Sequence, residues 1–273
     1  MKWKTTLFIC SVAALLILAI YFANLRSPPE TITEQPEISA ELSPDQQETA
    51  KRTEVFVSDE SAHEPEVSAE PYVSPIDFDA LREENEDIYA WLDIPDTDIS
   101  YPILQRPGDD SYYLRRNAEG ESDSNGVIYT EASYNGKDFA DPLTVIYGHN
   151  MNSGLMFGTL QEMYSSQEAL GEHSEIIIYL PDQELHYEVF AAVPFDKRHI
   201  LYNYDLSDKR TFRLFFQEIL SVRSLEAVFA EEAAIQSDEK ALILSTCLTG
   251  NRNKRFLVCG KLSETVPAET SKS

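Results

Sequence analysis

Cysteine is scarce in this sequence. The 273 residues contain three, Cys10, Cys247 and Cys259, an odd number and too few for a disulfide scaffold, so each thiol needs its own explanation. Cations are scarce as well. The chain sets 22 Lys and Arg against 47 Asp and Glu, a formal net charge of −25. Nucleic-acid binding rests on Lys and Arg neutralising phosphates, which excludes that class and any nucleic-acid partner. The acidic excess runs along the whole chain: residues 1–71 carry 12 Asp and Glu against 5 Lys and Arg, −7 of the −25, and residues 72–273 carry the remaining −18. No internal repeat is present. His173, His186 and His199 have no carboxylate or cysteine beside them at metal-ligand spacing, so no metal and no cofactor is expected.

The length allows one core of ordinary size with extensions, or two small domains at most. After Lys2 and Lys4, residues 5–25 carry no charge, and as a helix they would span about 30 Å, the thickness of a bilayer core. A cleaved signal peptide is the alternative, but the run is long for an h-region and no clean small-residue cleavage site follows. Residues 1–25 therefore read as a cytoplasmic tip and a single-pass transmembrane signal-anchor. Positive charge before the span and acidic sequence after it place the amino terminus in the cytoplasm and the rest of the chain outside the cell membrane. Cys10 is then a small apolar residue in the bilayer. Residues 26–71, rich in Glu, Pro, Ser and Thr, cannot bury enough surface to offset the entropy of ordering and read as a solvated linker extended by its own charge. His63 is a solvent-exposed part of it.

The folded domain is expected over residues 72–273. Phe78, Leu81, Ile88 and Leu92 recur at near-helical spacing, with Asp77 placed to cap the helix. Strand patterns follow at 100–105, 126–130, 143–147, 175–180 and 185–193, separated by turn-rich pieces. Phe212, Phe215, Phe216 and Ile219 mark an amphipathic helix at i, i+3, i+4 and i+7, and a further helical piece is expected from Leu225 to about Ile235. Most strands are joined by loops and not by helices of the βαβ kind. A mainly β fold, a closed or nearly closed barrel with peripheral helices, is the expected architecture.

The chemistry concentrates in two stretches. In KALILSTCLTGNRNKRFLVCGKL, residues 240–262, two apolar runs flank a polar segment and read as strands joined by a loop. Cys247 falls where the first strand ends and Arg255 where the second begins. A free thiol is mostly protonated at neutral pH, and a nearby cation favours the thiolate that acts as nucleophile. In LTVIYGHNMNSGLMFGTL, residues 143–160, His149 follows a short strand and a glycine. Each residue alone has an ordinary structural explanation. Together they sit at strand ends, where side chains from distant sequence converge on one rim. Tyr147, Ser245 and Thr246 flank this centre and are candidate substrate contacts or, equally, rim packing.

The stretches IYGHNMNSGLMFGTL and LILSTCLTGNRNKRF resemble the histidine and cysteine motifs of sortases, transpeptidases of Gram-positive surfaces. The likeness extends through DFDALREENEDIYAWLDIP, SYPILQ, SYYLRRN and GVIYTEA. The YGHNM form followed by MFG, a long helical insertion from Asp208 to about Ile235 and the amino-terminal anchor resemble class B. The resemblance implies an eight-stranded sortase barrel, with Cys247 as nucleophile, His149 as its acid/base partner and Arg255 as the third member. It also implies a substrate, a surface protein whose carboxy-terminal sorting motif is cut after threonine. Motifs of the NPQTN kind and proline-containing TG motifs both remain open, as do a peptidoglycan amine (or that of its precursor) and a pilin lysine as acceptor. Leu248 and Thr249 stand where some relatives carry an acidic or more polar residue, and Cys259 stands in the last strand where histidine or another non-thiol is frequent. About 13 Å along a strand from Arg255, Cys259 is too far from Cys247 for a disulfide and is assigned to packing. Two other classes stay open: a thiol peptidase that only hydrolyses, and a membrane-tethered peptide-binding module without turnover.

Overall fold

The structure, a computed structural model, describes residues 73–267. The expected anchor over residues 1–25, with Cys10, and the linker over 26–71, with His63, lie outside the described residues. The first helix, α1 (Phe78–Glu84), is capped as expected: the Asp77 side chain accepts from the Ala80 amide at 3.0 Å. It is shorter than the spacing predicts. Asn85 is extended and its side chain takes the Asp87 amide at 2.9 Å, so a short polar group competes for the backbone and ends the helix. Ile88 and Leu92 therefore lie in strand β1 (Ile88–Asp93), where the β-branched and aromatic residues of IYAWLD suit a pleated surface.

The remaining strands are β2 (Ser100–Leu104), β3 (Leu143–Tyr147), β4 (Glu175–Tyr179), β5 (Gln183–Asp196), β6 (Val228–Phe229), β7 (Ala241–Leu248) and β8 (Asn251–Pro267). They form one eight-stranded sheet in the order β2-β1-β4-β5-β8-β7-β3, with β6 on β5. The sheet curls so that its two ends meet. Residues 126–130, expected as a strand, make isolated bridges instead: the Leu104 amide donates to Ile128 at 3.1 Å, and Tyr129 and Tyr147 exchange bonds of 3.1 and 2.8 Å. This short segment ties β2 to β3 across the seam.

Alternation along β7 and β8 divides the core in two. Leu242, Leu244, Phe256 and Val258 face the barrel interior with Ile146 and Tyr187. Ile243, Leu257 and Cys259 face the other way, under helix α5. The earlier helices are α2 (Leu160–Met163), α3 (Gln167–Glu172) and α4 (Ile200–Asn203), and α5 spans Lys209–Leu220. In α5 the four predicted residues, Phe212, Phe215, Phe216 and Ile219, are all buried, and Asp208 caps it through the Thr211 amide at 2.8 Å. The helical piece expected over residues 225–235 is not formed. Val228 and Phe229 pair instead with Ala192 and Ala191 of β5. The partner strand β4 pairs only as far as Glu188 and the Val189 amide takes the Ser174 carbonyl at 2.7 Å, so beyond that point this flank of β5 is left open by β4, and an open edge is a stronger claim on residues 228–229 than weak helix propensity.

The polar loop expected between Cys247 and Arg255 is tighter than that: Leu248 pairs with Asn251, and residues 252–254 bulge before Arg255 meets Cys247. The turn is confined to Thr249 and Gly250, and Gly250 takes φ +75°, where a side chain would be strained. Cys259 is fully buried opposite Ile243 and is a free thiol, as is Cys247.

Far from the hairpin turn, His186 on β5 sits between Glu175 and Glu184, with both ring nitrogens 2.8 Å from a carboxylate oxygen. Glu184 stands two residues before His186 on the same strand, and the fold brings Glu175 from β4 beside it. Burial by itself would lower the His186 pKa, but the two glutamates outweigh it and the net shift is upward. A raised histidine stabilises the fold below its unfolded pKa, about 6.5, and that contribution is lost as pH rises through the folded value. In urea titrations, the stability gap between the wild type and His186→Gln should therefore be wider near about pH 5.5 than near about pH 8.5. A gap independent of pH would show that the carboxylates do not hold a charged imidazole.

Candidate active site

The candidate nucleophile and its cation are placed by register. Cys247 and Arg255 are directly opposed on β7 and β8, and directly opposed residues project on the same face of a sheet. Arg255 Nη1 lies 3.7 Å from Cys247 Sγ. The same nitrogen also donates to the carbonyls of Arg252 and Lys254 at 3.4 and 3.3 Å, which orients the fork.

His149 arrives from the other flank of β7. Strand β3 runs parallel to β7 with Tyr147 opposite Ser245, and the Gly148 amide donates to the Ser245 carbonyl at 3.2 Å. The chain therefore leaves the sheet beside Cys247. Position 148 has no room for a side chain, since a Cβ there would lie 2.5 Å from Ile128 and 2.6 Å from Phe157. His149 Nε2 is 3.0 Å from the Leu114 carbonyl. A carbonyl only accepts, so the proton sits on Nε2 and Nδ1 is left free.

Two residues that the sequence reading did not single out hold this arrangement together. Asn150 donates to the Cys247 carbonyl at 2.8 Å and to Thr249 Oγ1 at 2.9 Å. Gln161 on α2 grips Thr249 from outside, donating to its hydroxyl at 2.7 Å and accepting from its amide at 3.0 Å. The histidine loop and the cysteine strand are thereby fastened to each other. Asn150 stands in the YGHN stretch itself. Its partners are 97 and 99 residues away, so nothing local marks its role.

Cys247, His149 and Arg255 line one cleft of about 220 Å³, which Tyr147, Ser245 and Thr246 also border. The three flanking residues are not equivalent. Ser245 shares the face of Cys247. Strand alternation turns the Thr246 side chain to the opposite face, that of Leu244 and Leu248, and its buried hydroxyl has no hydrogen-bond partner among the described residues. Tyr147 stacks on Tyr129 with ring centroids 5.4 Å apart. Burial, and then the nearby Glu131 carboxylate, raise its phenol pKa above the ordinary range.

A second ionisable pair sits in the same cleft. His199 Nε2 is 3.0 and 2.8 Å from the two carboxylate oxygens of Glu131. The sequence gives His199 no carboxylate neighbour, and the fold brings one from 68 residues away. Burial raises the Glu131 pKa, and His199 only partly opposes it.

A cysteine beside an arginine, with an imidazole on the adjoining strand end, is an arrangement for acyl transfer through a thiolate. The profile of the sortase domain matches residues 92–263. The chain belongs to the sortase family. Sortases are cysteine transpeptidases, and this one is most like those of class B. It is 29% identical to sortase B of Listeria monocytogenes over 184 residues, 67% of this chain and 72% of that one. Among solved structures, sortase B from Bacillus anthracis in complex with AAEK1 superposes with a TM-score of 0.59 at 28% identity, covering 68% of this sortase and 84% of that chain. A class B sortase of Streptococcus pyogenes involved in pilus biogenesis gives a TM-score of 0.57 at 27% identity, covering 69% and 98%. The curled, mainly β sheet with few helices is the sortase fold expected from the sequence.

Proposed function

We propose that this sortase cleaves a carboxy-terminal sorting motif of surface proteins after threonine and transfers the acyl group to a cell-wall amine. The observation that carries the reading is the opposition of Cys247 and Arg255 in register, with His149 on the same cleft. Cys247 gives its proton to the free Nδ1 of His149, and the resulting thiolate attacks the scissile carbonyl carbon, giving a tetrahedral oxyanion. Arg255, always charged, already points a guanidinium nitrogen at the sulfur and can follow the charge as it moves to the oxyanion. His149 gives a proton to the departing amine, and the C–N bond breaks to leave a thioester. An incoming amine then attacks the thioester carbonyl and releases the thiol, with water as the competing nucleophile. Ser245 and Tyr147, on the face of Cys247, are positioned to contact the donor peptide. Residues 1–25 would hold the domain at the outer face of the cell membrane, on the stalk formed by residues 26–71, where surface proteins and peptidoglycan or its precursor are the partners.

The test uses the full-length chain in detergent with a panel of threonine-containing sorting peptides, with and without an added peptide amine, followed by mass spectrometry and peptide mapping. The expected result is an acyl adduct located on Cys247 that passes to the amine. Cleavage whose products ignore the amine would reassign the protein as a thiol peptidase, and peptide binding without an adduct would make it a binding module.

A further inference from the structure

The outer face of α5 carries charges that work against the helix itself. Phe212, Phe215, Phe216 and Ile219 are buried. The stripe left to solvent consists of Lys209, Arg210, Arg213, Leu214 and Gln217, residues that are neighbours on a helix surface through spacings of three and four. Lys209 and Arg210 stand in the first turn, which holds no acid, and the last turn holds no base. The helix macrodipole favours the reverse arrangement. Lys209 and Arg213 are like charges at i, i+4, and Arg210 and Arg213 at i, i+3, which also destabilises a helix. No acid on the stripe offsets them, and among the described residues none of the three forms an ion pair. Asp208, at the cap, gives its side chain to the Thr211 amide and hydroxyl. Glu218 is taken up by Arg198 and Tyr204.

Charges placed against both rules point to a partner outside the chain, and for three cations on a protein of net charge −25 that partner is anionic. Leu214 narrows its chemistry. This side chain is 52% exposed in the midst of the cations. A lone exposed leucine needs no explanation, but a leucine among cations on one helix face is the pattern of a surface that lies on a bilayer, with the cations at the headgroups and the apolar side chain at the acyl boundary. We propose that the outer face of α5 docks on an anionic lipid bilayer. An acidic segment of a surface protein or an anionic wall polymer would meet the cations but would leave Leu214 in water.

This rests on the reading of residues 1–25 as a membrane anchor, which holds the domain beside a bilayer. The 46 residues from 26 to 71 could reach about 150 Å if fully extended, so the anchor does not dictate which face meets the lipid. The cations of α5 would make that choice. Phe215 on the inner side of the helix lies 6.1 Å from Phe195, and the residues just after Phe195 line the cleft. Docking through α5 therefore sets the cleft at a fixed attitude to the bilayer.

The deciding experiment places full-length Leu214→Trp, with the unaltered chain as baseline, in nanodiscs of phosphatidylcholine alone or mixed with phosphatidylglycerol, the lipids brominated on their acyl chains. Bromine there quenches only a tryptophan that reaches hydrocarbon, and Trp3 and Trp91 are common to both chains. The expected result is quenching in excess of the baseline that is large with phosphatidylglycerol and small without it. Adding Lys209→Glu, Arg210→Glu and Arg213→Glu should abolish the excess, since each cation removed lowers the docked-to-free ratio about fivefold and the three together about 100-fold or more. The urea midpoint of that variant should not fall, because acids in the first turn suit the macrodipole. Raised ionic strength should release Leu214→Trp in the same way with its cations intact. No excess quenching, equal excess in both lipids, or an excess that survives salt and charge reversal overturns the proposal. If the chain does not enter the discs, the anchor reading fails on its own, and flotation with vesicles of the two compositions still decides the face: flotation that needs phosphatidylglycerol and is lost on charge reversal supports it, and no such flotation overturns it.

Discussion

Cys247→Ala should abolish covalent capture of every sorting peptide, and Arg255→Ala should slow capture by about 10²–10³-fold, the usual cost of removing one oxyanion donor. The two effects have different origins. Without Cys247 there is no atom to form the thioester. The residue is only half-buried and its side chain is small, so the chain should still unfold cooperatively in urea. Without Arg255 the thiol remains but loses the charge held 3.7 Å from it. Arg255→Lys should recover little of the rate, because an ammonium on a flexible stem cannot present two parallel donors as a guanidinium does. Single-turnover rates of adduct formation would separate these outcomes. Full rescue by lysine would mean that Arg255 acts only as a point charge, and a rate unaffected by Arg255→Ala would remove it from the chemistry.

The second large effect concerns stability. Phe215→Ala should cost about 3–5 kcal/mol, the range for deleting a fully buried aromatic ring. Phe215 is 0% exposed. Its ring lies 4.9 Å from Tyr204, 5.0 Å from Phe216 and 6.1 Å from Phe195, centroid to centroid. It therefore joins α5 to the end of β5, and the residues just after Phe195, Asp196 to Ile200, line the cleft. Urea midpoints would measure the loss. A change below about 1 kcal/mol would show that α5 is held mainly by its other phenylalanines.

The parts of this molecule legible in its sequence are those governed by local pattern. Phe212, Phe215, Phe216 and Ile219 announce α5 because all four apolar residues fall on one stripe. The runs that become β3 and β7 are apolar enough to read as buried strands, and the residues that end or follow them, Cys247 and His149, stand out by chemical type. What could not be read depends on the partner and not on the segment. Val228 and Phe229 form a strand because β4 stops short and leaves the edge of β5 open. Ile88 and Leu92 leave the helix because Asn85 finds partners in Tyr113 and Ala118, residues that no local window includes. The same limit hides the Glu131–His199 pair and the Asn150 clasp, whose members meet only after the sheet has curled.

The register that opposes Cys247 to Arg255 is written twice. Arg255 is matched to Cys247 on β7 and also to Phe195 on β5, so β8 is gripped on both flanks like a drawer between two rails. The turn that joins β7 to β8 does not have to measure the spacing between thiol and guanidinium. Gly250, at its tip, has open space around it, while Thr249 beside it belongs to the clasp. Chain length just beyond Gly250 is therefore a free variable of this sortase, a place where a loop can grow, or a reporter be grafted, beside Cys247 and Arg255 without resetting their opposition.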